Sequence, residues 1–255
     1  MKHGDFTELA EFYVNRPGYS VVLLNCLKNH VFNGVGEGLV ADIGAGTGKL
    51  TEHLADLGLH GFAVEPNDAM RNKGEECFQS RTEFVWREGA AEKSNLDGNS
   101  VHWALMGDSF HWTNSEQAVK EFHRILVPGG FFTAIWNPRD IESSELHQRI
   151  EDVVYSELPN MKRVSSGRNF TMEEMRDKLI SGGLFKDILY MEAPHVENMS
   201  KERYMNIWRS VNDIQVQAGP ERFQRILNKI AEIIQDMDEI KVPYRSRAWT
   251  VQSTK

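Results

Sequence analysis

An α/β fold built on a largely parallel sheet is predicted from three observations. Short apolar runs alternate with helical patterns across residues 39–136. The runs are continuous rather than alternating, as strands buried on both faces require. Helices of this length between strands imply βαβ units. The composition suits such a core: 255 residues, 40% hydrophobic and 26% charged, is ordinary globular usage. A chain of this size encloses its core without staples.

Leu39-Val-Ala-Asp-Ile43 reads as the first strand. Leu50, Leu54 and Leu57 follow at helical spacing, and Gly58 stops that helix. Gly61-Phe-Ala-Val-Glu65 is the second strand, ended by Pro66; a helix starts near Asn67 or Asp68, both good N-caps. Phe84-Val-Trp86 and Val101-His-Trp-Ala-Leu-Met106 are the third and fourth strands. Thr113 and Glu116 have capping-box spacing, and Val119, Phe122, Ile125 and Leu126 share a helix face. Pro128-Gly-Gly130 turns the chain into a fifth strand, Phe131–Trp136. Residues 141–158 and 172–182 read as helices and Asp187-Ile-Leu-Tyr190 as a strand. Residues 220–238 form an amphipathic helix, with Phe223, Ile226, Leu227 and Ile230 on its apolar face. Val242 to Val251 closes the sheet. No repeat or low-complexity linker interrupts the chain, so residues 1–255 are expected to form a single domain with helical insertions.

Charge and cysteine content narrow the function. Acidic residues number 37 against 29 basic ones, a net charge of -8 without a basic block, which speaks against a nucleic-acid partner. Cys26 and Cys77 are too few for a disulfide framework. The nine histidines show no metal-ligand spacing, so no metal is expected. No apolar run approaches the roughly 20 residues that span a bilayer. The N-terminus lacks an apolar stretch of signal type. The expectation is a soluble, cytoplasmic protein without a membrane partner.

The most informative stretch is Asp42-Ile-Gly44-Ala45-Gly46-Thr-Gly48-Lys49-Leu50, which follows a strand and opens a helix. Glycines there permit a tight turn and close approach of a ligand to the backbone. The helix N-terminus adds N–H groups and a partial positive charge. Glu65, at the end of the second strand, can accept hydrogen bonds from both hydroxyls of a ribose. The dinucleotide pattern Gly-x-Gly-x-x-Gly fails because Lys49 stands where its third glycine belongs. A P-loop fails because Leu50 follows the lysine, leaving no hydroxyl for Mg²⁺.

Asp42-Ile-Gly-Ala-Gly-Thr-Gly48 resembles the first motif of class I S-adenosylmethionine-dependent methyltransferases, and Glu65 matches the acidic residue that ends their second strand. Gly89-Ala-Ala-Glu92, Val101 to His111 and Glu121-Phe-His-Arg-Ile-Leu-Val-Pro-Gly-Gly130 resemble the later motifs in order. The resemblance covers residues 38–137. Tyr13-Val-Asn-Arg16-Pro-Gly-Tyr19, Glu65-Pro-Asn67, Phe110-His-Trp112 and Trp136-Asn137 are similar to small-molecule methyltransferases related to trans-aconitate-type enzymes.

The resemblance implies a Rossmann-like fold with a seven-stranded sheet in the order 3-2-1-4-5-7-6, its last strand antiparallel. Residues 1–30 would form an N-terminal lid, residues 38–137 the S-adenosylmethionine-binding core, and residues 140–182 and 200–238 a helical cap. Gly44, Ala45 and Gly46 would underlie the methionine part of S-adenosylmethionine, with Asp42 holding the loop or the amino group. Glu65 would hold the ribose, and Pro66 or Asn67 would flank the adenine. Ala90 and Ala91 stand where the family contacts adenine; an Asp is common at the first of these positions, so Ala90 leaves recognition to backbone N–H groups, with Glu92 anchoring the loop. Asp108 or Ser109 would face the sulfonium or carboxylate end. Arg16 suits the cofactor carboxylate, and Tyr13 and Tyr19 suit the sulfonium through cation–π contact.

For the acceptor, His111 is the candidate general base, with a pKa suited to neutral pH. Tyr19, Trp112, Trp136 and Trp208 (with Trp249) are candidate pocket residues. Arg139, Arg209, Arg245 and Arg247 could bind an anionic acceptor. Two other functions stay open: a NAD-binding oxidoreductase, and a non-catalytic S-adenosylmethionine-binding partner protein.

Overall fold

The computed structural model describes residues 6–33, 38–162, 167 and 169–255. Residues 1–5 of the expected lid, and 163–166 and 168 of the expected 140–182 cap segment, lie outside the described residues.

Strands β1 (Val40–Ile43), β2 (Gly61–Val64), β3 (Phe84–Arg87), β4 (Val101–Gly107), β5 (Leu126–Trp136), β6 (Phe185–Met199) and β7 (Ile240–Ser253) make one sheet. Its order is β3-β2-β1-β4-β5-β7-β6, as the resemblance implied. Neighbouring strands from β3 through β5 pair in parallel, and β7 runs antiparallel to both β5 and β6. The strand order reverses beside β1, so the crevice at the carboxyl ends of β1 and β4 is where an open α/β sheet takes a ligand.

The helices are α1 (Ala10–Tyr13), α2 (Val21–Val31), α3 (Lys49–Asp56), α4 (Asp68–Cys77), α5 (Ser115–Ile125), α6 (Glu145–Glu157), α7 (Met172–Leu179), α8 (Lys201–Arg209) and α9 (Asn212–Ile233). Asn67 caps α4 by accepting from Met70 N at 3.1 Å. The expected Thr113/Glu116 capping box does not form. Asn114 is the cap, accepting from Gln117 N at 3.2 Å, while Thr113 Oγ1 donates to Phe110 O.

Two further boundaries differ from the sequence reading. Pro128-Gly-Gly130 is a bulge inside β5: pairing with β4 passes from Val101↔Leu126 to Trp103↔Phe131, with Gly129 at a φ of +73°. β6 is far longer than Asp187–Tyr190 and begins before a bulge at Asp187, whose φ is +55°. Its partner β7 pairs with β5 only as far as Trp136↔Arg247, then continues past the sheet against β6 to Met199↔Ile240. That overshoot carries Tyr244 beyond the end of β5, where it bridges Arg139.

Apolar clusters fill both faces of the sheet, with Phe122 stacked on Phe132 at 4.3 Å on one of them. A buried polar relay crosses three strands: Trp103 Nε1 donates to Thr133 Oγ1 at 2.8 Å, and Thr133 shares a 2.8 Å bond with Thr250. A third cluster joins α6, α8, α9 and the distal ends of β6 and β7 into a cap over the carboxyl edge. Gly219, at a φ of +69°, and Pro220 kink α9 there. No helix among the described residues is long and apolar enough to cross a membrane.

Candidate active site

A cavity of about 940 Å³ opens at the carboxyl ends of β1, β2, β4 and β5, under the cap. The turn after β1 forms its floor. Gly44, Gly46 and Gly48 have φ of +71°, +60° and +89°, a region that L side chains rarely adopt. A Cβ on Gly44 would lie 2.9 Å from Ser109 Oγ, so the loop after β4 packs directly on the glycine turn.

Glu65 follows β2 and is 7% exposed. Its Oε2 accepts from Gly46 N at 2.8 Å and its Oε1 from Asn67 N at 2.9 Å. One carboxylate thus ties the glycine turn to the start of α4. Each oxygen keeps a second lone pair, and the residue lines the cavity. Burial raises the Glu65 pKa, and the two N–H donors oppose that rise. Asp42 is 1% exposed at the end of β1. Its Oδ2 accepts from Thr51 Oγ1 at 2.6 Å, whereas its Oδ1 has no partner. Burial, partly offset by the Thr51 bond, raises its pKa to about 7.

Asp108 follows β4 with a φ of +49°. It accepts from Tyr19 Oη at 2.9 Å and from Asn137 N at 3.2 Å, and burial raises its pKa. Asn137 was noted in the sequence only as part of a motif. Its side chain donates to Gly18 O at 2.6 Å and accepts from Ser246 Oγ at 2.8 Å. Ser20 N donates to the same Ser246 hydroxyl. The segment between α1 and α2 is therefore pinned to the ends of β4, β5 and β7.

Most of the expected site residues meet here. Tyr13, Arg16, Tyr19, Asp42, Gly44, Ala45, Gly46, Glu65, Pro66, Ala90, Ala91, Asp108 and Trp112 all line the cavity. Arg16 packs 4.9 Å from the Tyr13 ring centroid and donates to Ser210 Oγ and Ser210 O at 2.7 and 2.9 Å, which ties the N-terminal segment to the cap. Glu92 anchors its loop as expected, accepting from Asn114 N at 2.7 Å.

Four expectations are corrected. Trp136 is 1% exposed and lines no part of the cavity; it packs against Phe170 and Trp249 in the sheet core. Trp208 is fully buried in the cap core, because α8 turns its Tyr204, Ile207 and Trp208 face inward. Trp249 likewise belongs to the core. His111 does not line the cavity either. Trp136 Nε1 donates to its Nδ1 at 3.1 Å, which leaves the ring proton on Nε2. Burial first, and then the charge of Lys178, lowers its pKa to about 4. A neutral ring with its basic nitrogen already occupied is a poor proton acceptor.

Of the four candidate arginines, Arg139 alone lines the cavity among the described residues. Arg245 pairs with Asp140 and Glu192, Arg247 with Glu192, and Arg209 donates to Asn206. Sequence reasoning missed Tyr244, Ile207 and Asn212, which also line it; their elements meet the site only through the cap and the β7 overshoot.

This sheet order, with a glycine turn after β1 and an acidic residue after β2, defines a Rossmann-like class I methyltransferase fold. Residues 41–134 match the family profile of the methyltransferase domain. Over 101 residues, 40% of each chain, it is 39% identical to an uncharacterized methyltransferase of Mycobacterium tuberculosis, so the match spans well under half of that relative. It is 26% identical over 247 residues to an uncharacterized methyltransferase of Schizosaccharomyces pombe, covering 92% of this chain and 90% of that one. A protein of Anaeromyxobacter dehalogenans described as a type II methyltransferase superposes with a TM-score of 0.63 at 17% identity, covering 92% of this chain and 97% of that one. Phosphoethanolamine N-methyltransferase 2 of Haemonchus contortus, solved with S-adenosyl-L-methionine, superposes with a TM-score of 0.54 at 16% identity, covering 98% and 57%. At these identities the solved structures speak to the fold.

Proposed function

We propose that the protein is an S-adenosylmethionine-dependent methyltransferase whose acceptor is a small organic molecule, as in the enzymes its motifs resemble. The carrying observation is Asp42 Oδ1, a buried acceptor without a partner, on the same cavity wall as the glycine turn and Glu65. That donor-hungry carboxylate suits the ammonium of an amino-acid moiety, and Glu65 suits a ribose. The residues present therefore fit the cofactor. Asp42 would hold its amino group, Gly44 to Gly46 its backbone-facing side, Glu65 its ribose, and Pro66, Ala90 and Ala91 its base. Arg16 and Tyr13 would cover it from the N-terminal segment.

When bound, S-adenosylmethionine supplies a methyl carbon whose bonding pair stays on sulfur as the acceptor provides the new pair. The chain's part is alignment and exclusion of water, which such a displacement rewards. Asp108, fixed by Tyr19 and Asn137, shapes the wall between the glycine turn and the cap. The cavity volume lies within the range of about 300–1,000 Å³ for small-molecule sites, which supports a small acceptor over a polymer.

Calorimetric titration with S-adenosylmethionine and, separately, NADH tests the reading on the wild type and Glu65→Ala. Tight binding of the former alone, lost in the variant, is expected. Preference for NADH, or equal S-adenosylmethionine binding by the variant, overturns it.

A further inference from the structure

Residues 6–19 roof the cofactor end of the cavity, and two histidines grip the root of that roof. Phe6, Tyr13, Arg16 and Tyr19 all line the cavity. The outer part of the segment is held by a few side-chain contacts. Asn67 donates to Thr7 Oγ1 at 3.0 Å, Arg203 to Asn15 O at 3.2 Å, and Arg16 to Ser210. At the root, the His53 ring of α3 packs onto the backbone of Gly18, where a Cβ would lie 1.8 Å from His53 Nε2.

The two histidines bond to this root with opposite polarity. Tyr19 N donates to His53 Nε2 at 3.2 Å. An acceptor nitrogen carries no proton, so this bond needs a neutral ring with its hydrogen on Nδ1. Gly18 O accepts from His195 Nε2 at 3.2 Å, so on β6 the same ring nitrogen carries the proton. A further proton on His195 goes to Nδ1, which has no partner, and leaves the Gly18 bond intact. A further proton on His53 goes to Nε2 and sets a second donor against the Tyr19 N–H.

The charged groups around His53 are Lys49, Glu52 and Asp56 on its own helix and His195 and Glu197 on β6. From α2, Lys28 donates to Leu57 O at the end of α3. Each of the three carboxylates already has a cation: Glu52 has Lys49, Asp56 has Arg81 and Glu197 has Arg203. Burial, the leading cause, therefore prevails over their attraction and holds the His53 ring below the usual 6.5.

We propose that His53 is a proton-operated latch: neutral, it keeps the N-terminal segment closed over the glycine turn, and on taking a proton from solvent at Nε2 it releases Tyr19 N and lets the segment lift from the cofactor end of the cavity. Asn137 and His195 still hold Gly18 O, and Asp108 still holds Tyr19 Oη, so the segment swings about this point without detaching. That the opening governs S-adenosylmethionine rests on the cofactor reading; the latch contacts do not. The closed form binds fewer protons than an open form whose ring sits in water. Opening is therefore independent of pH above the usual histidine value and grows easier below it. One pH unit below that value, the closed-to-open ratio has fallen by at most about tenfold.

The test is hydrogen–deuterium exchange of the ligand-free full chain at about pH 7.5 and about pH 5.5, corrected for the intrinsic exchange rates. Protection of residues 6–19 in the wild type should fall about 3- to 10-fold at the lower pH, while that of α5 holds. His53→Gln, whose amide oxygen accepts from Tyr19 N without titrating, should stay protected at both values. His53→Leu should exchange fast at both, and His195→Gln should keep the wild-type response. Calorimetry with S-adenosylhomocysteine gives the second readout. The affinity of the wild type relative to His53→Gln should fall by the same factor, the titration of Asp42 being common to both. The latch is overturned if protection of the segment does not change with pH, if His53→Gln follows the wild type, or if α5 loses protection in parallel. An affinity ratio that stays constant while the segment opens overturns its link to the cofactor. If S-adenosylhomocysteine binds at neither pH while the exchange response persists, the cofactor reading fails and the latch stands.

Discussion

Asp42→Asn should make the ligand-free protein more stable and its binding of S-adenosylmethionine weaker. The Asp42 carboxyl is held near 7 in the folded chain against 3.8 for an ordinary aspartate, with burial as the leading cause. Between those values the folded chain keeps a proton that the unfolded chain releases. The wild type therefore loses stability as pH rises through that window. At about 1.4 kcal/mol per pH unit, the loss reaches roughly 4 kcal/mol by pH 8. Asparagine titrates nowhere in the window. Its carbonyl can accept from Thr51 Oγ1, and its amide replaces the unpartnered Oδ1. Glu65 and Asp108, also raised by burial, are present in both proteins and largely cancel in the difference.

Urea unfolding of the ligand-free proteins at about pH 4.5 and about pH 8 measures this. The stability gap in favour of Asp42→Asn should be small at the lower pH and grow by several kcal/mol at the higher one. A gap that does not change with pH would refute the reasoning, because the carboxyl would then not titrate between those values. The ligand carries the opposite sign. An ammonium beside Asp42 favours the carboxylate, so binding expels a proton below pH 7. S-adenosylmethionine affinity of the wild type should rise about tenfold between pH 6 and pH 8, and that of Asp42→Asn should be flat and lower.

Three more outcomes follow from single contacts. Tyr19→Phe removes the donor to Asp108 Oδ2, which should cost about 1–3 kcal/mol in denaturant melts by leaving a buried acceptor short; an unchanged midpoint counts against the contact. Gly44→Ala forces a Cβ to 2.9 Å from Ser109 Oγ at a φ of +71°, so it should cost at least the roughly 1–2 kcal/mol of a left-handed residue and weaken S-adenosylmethionine binding; a wild-type Tm and Kd would contradict this. His111→Gln should leave the shape of the kcat–pH profile near neutrality unchanged, since the ring already sits at about 4; loss of an inflection near neutral pH would restore it as the base.

The floor of the site was legible because its signals are local. The glycine turn, Asn67 as a cap and Glu65 at a strand end all act within a few residues of where they stand. The capping box at Thr113 and Glu116 failed because a distant group decided it: Glu92 holds the N–H of Asn114, which then caps α5 itself. β6 was truncated in the sequence reading because Pro194 and alternating charges argue against a strand. As an edge strand paired only with β7, it tolerates both. Trp136 and Trp208 could not be assigned from composition. Trp136 ends a core strand and Trp208 faces into the cap core.

The same contrast explains why Arg139 was indistinguishable from Arg209, Arg245 and Arg247 by sequence. All four are arginines of the second half of the chain with no distinguishing local motif, and what separates them is which carboxylates the topology delivers. β6 and the segment after β5 bring Glu192 and Asp140 to Arg245, while Arg139 meets a tyrosine across its bridge and an indole beneath it. Asn137, two residues earlier, is bound to Gly18 of the N-terminal segment, to Ser246 of β7 and to Asp108 just after β4. A side chain at position 18 would meet the His53 ring, since a Cβ there would lie 1.8 Å from His53 Nε2. The short run after β5 therefore fixes the N-terminal segment over the glycine turn and, within the same three residues, presents the guanidinium to the cap end. A shift of Asn137 would disturb both ends of the cavity together, through backbone rather than through direct contact between them.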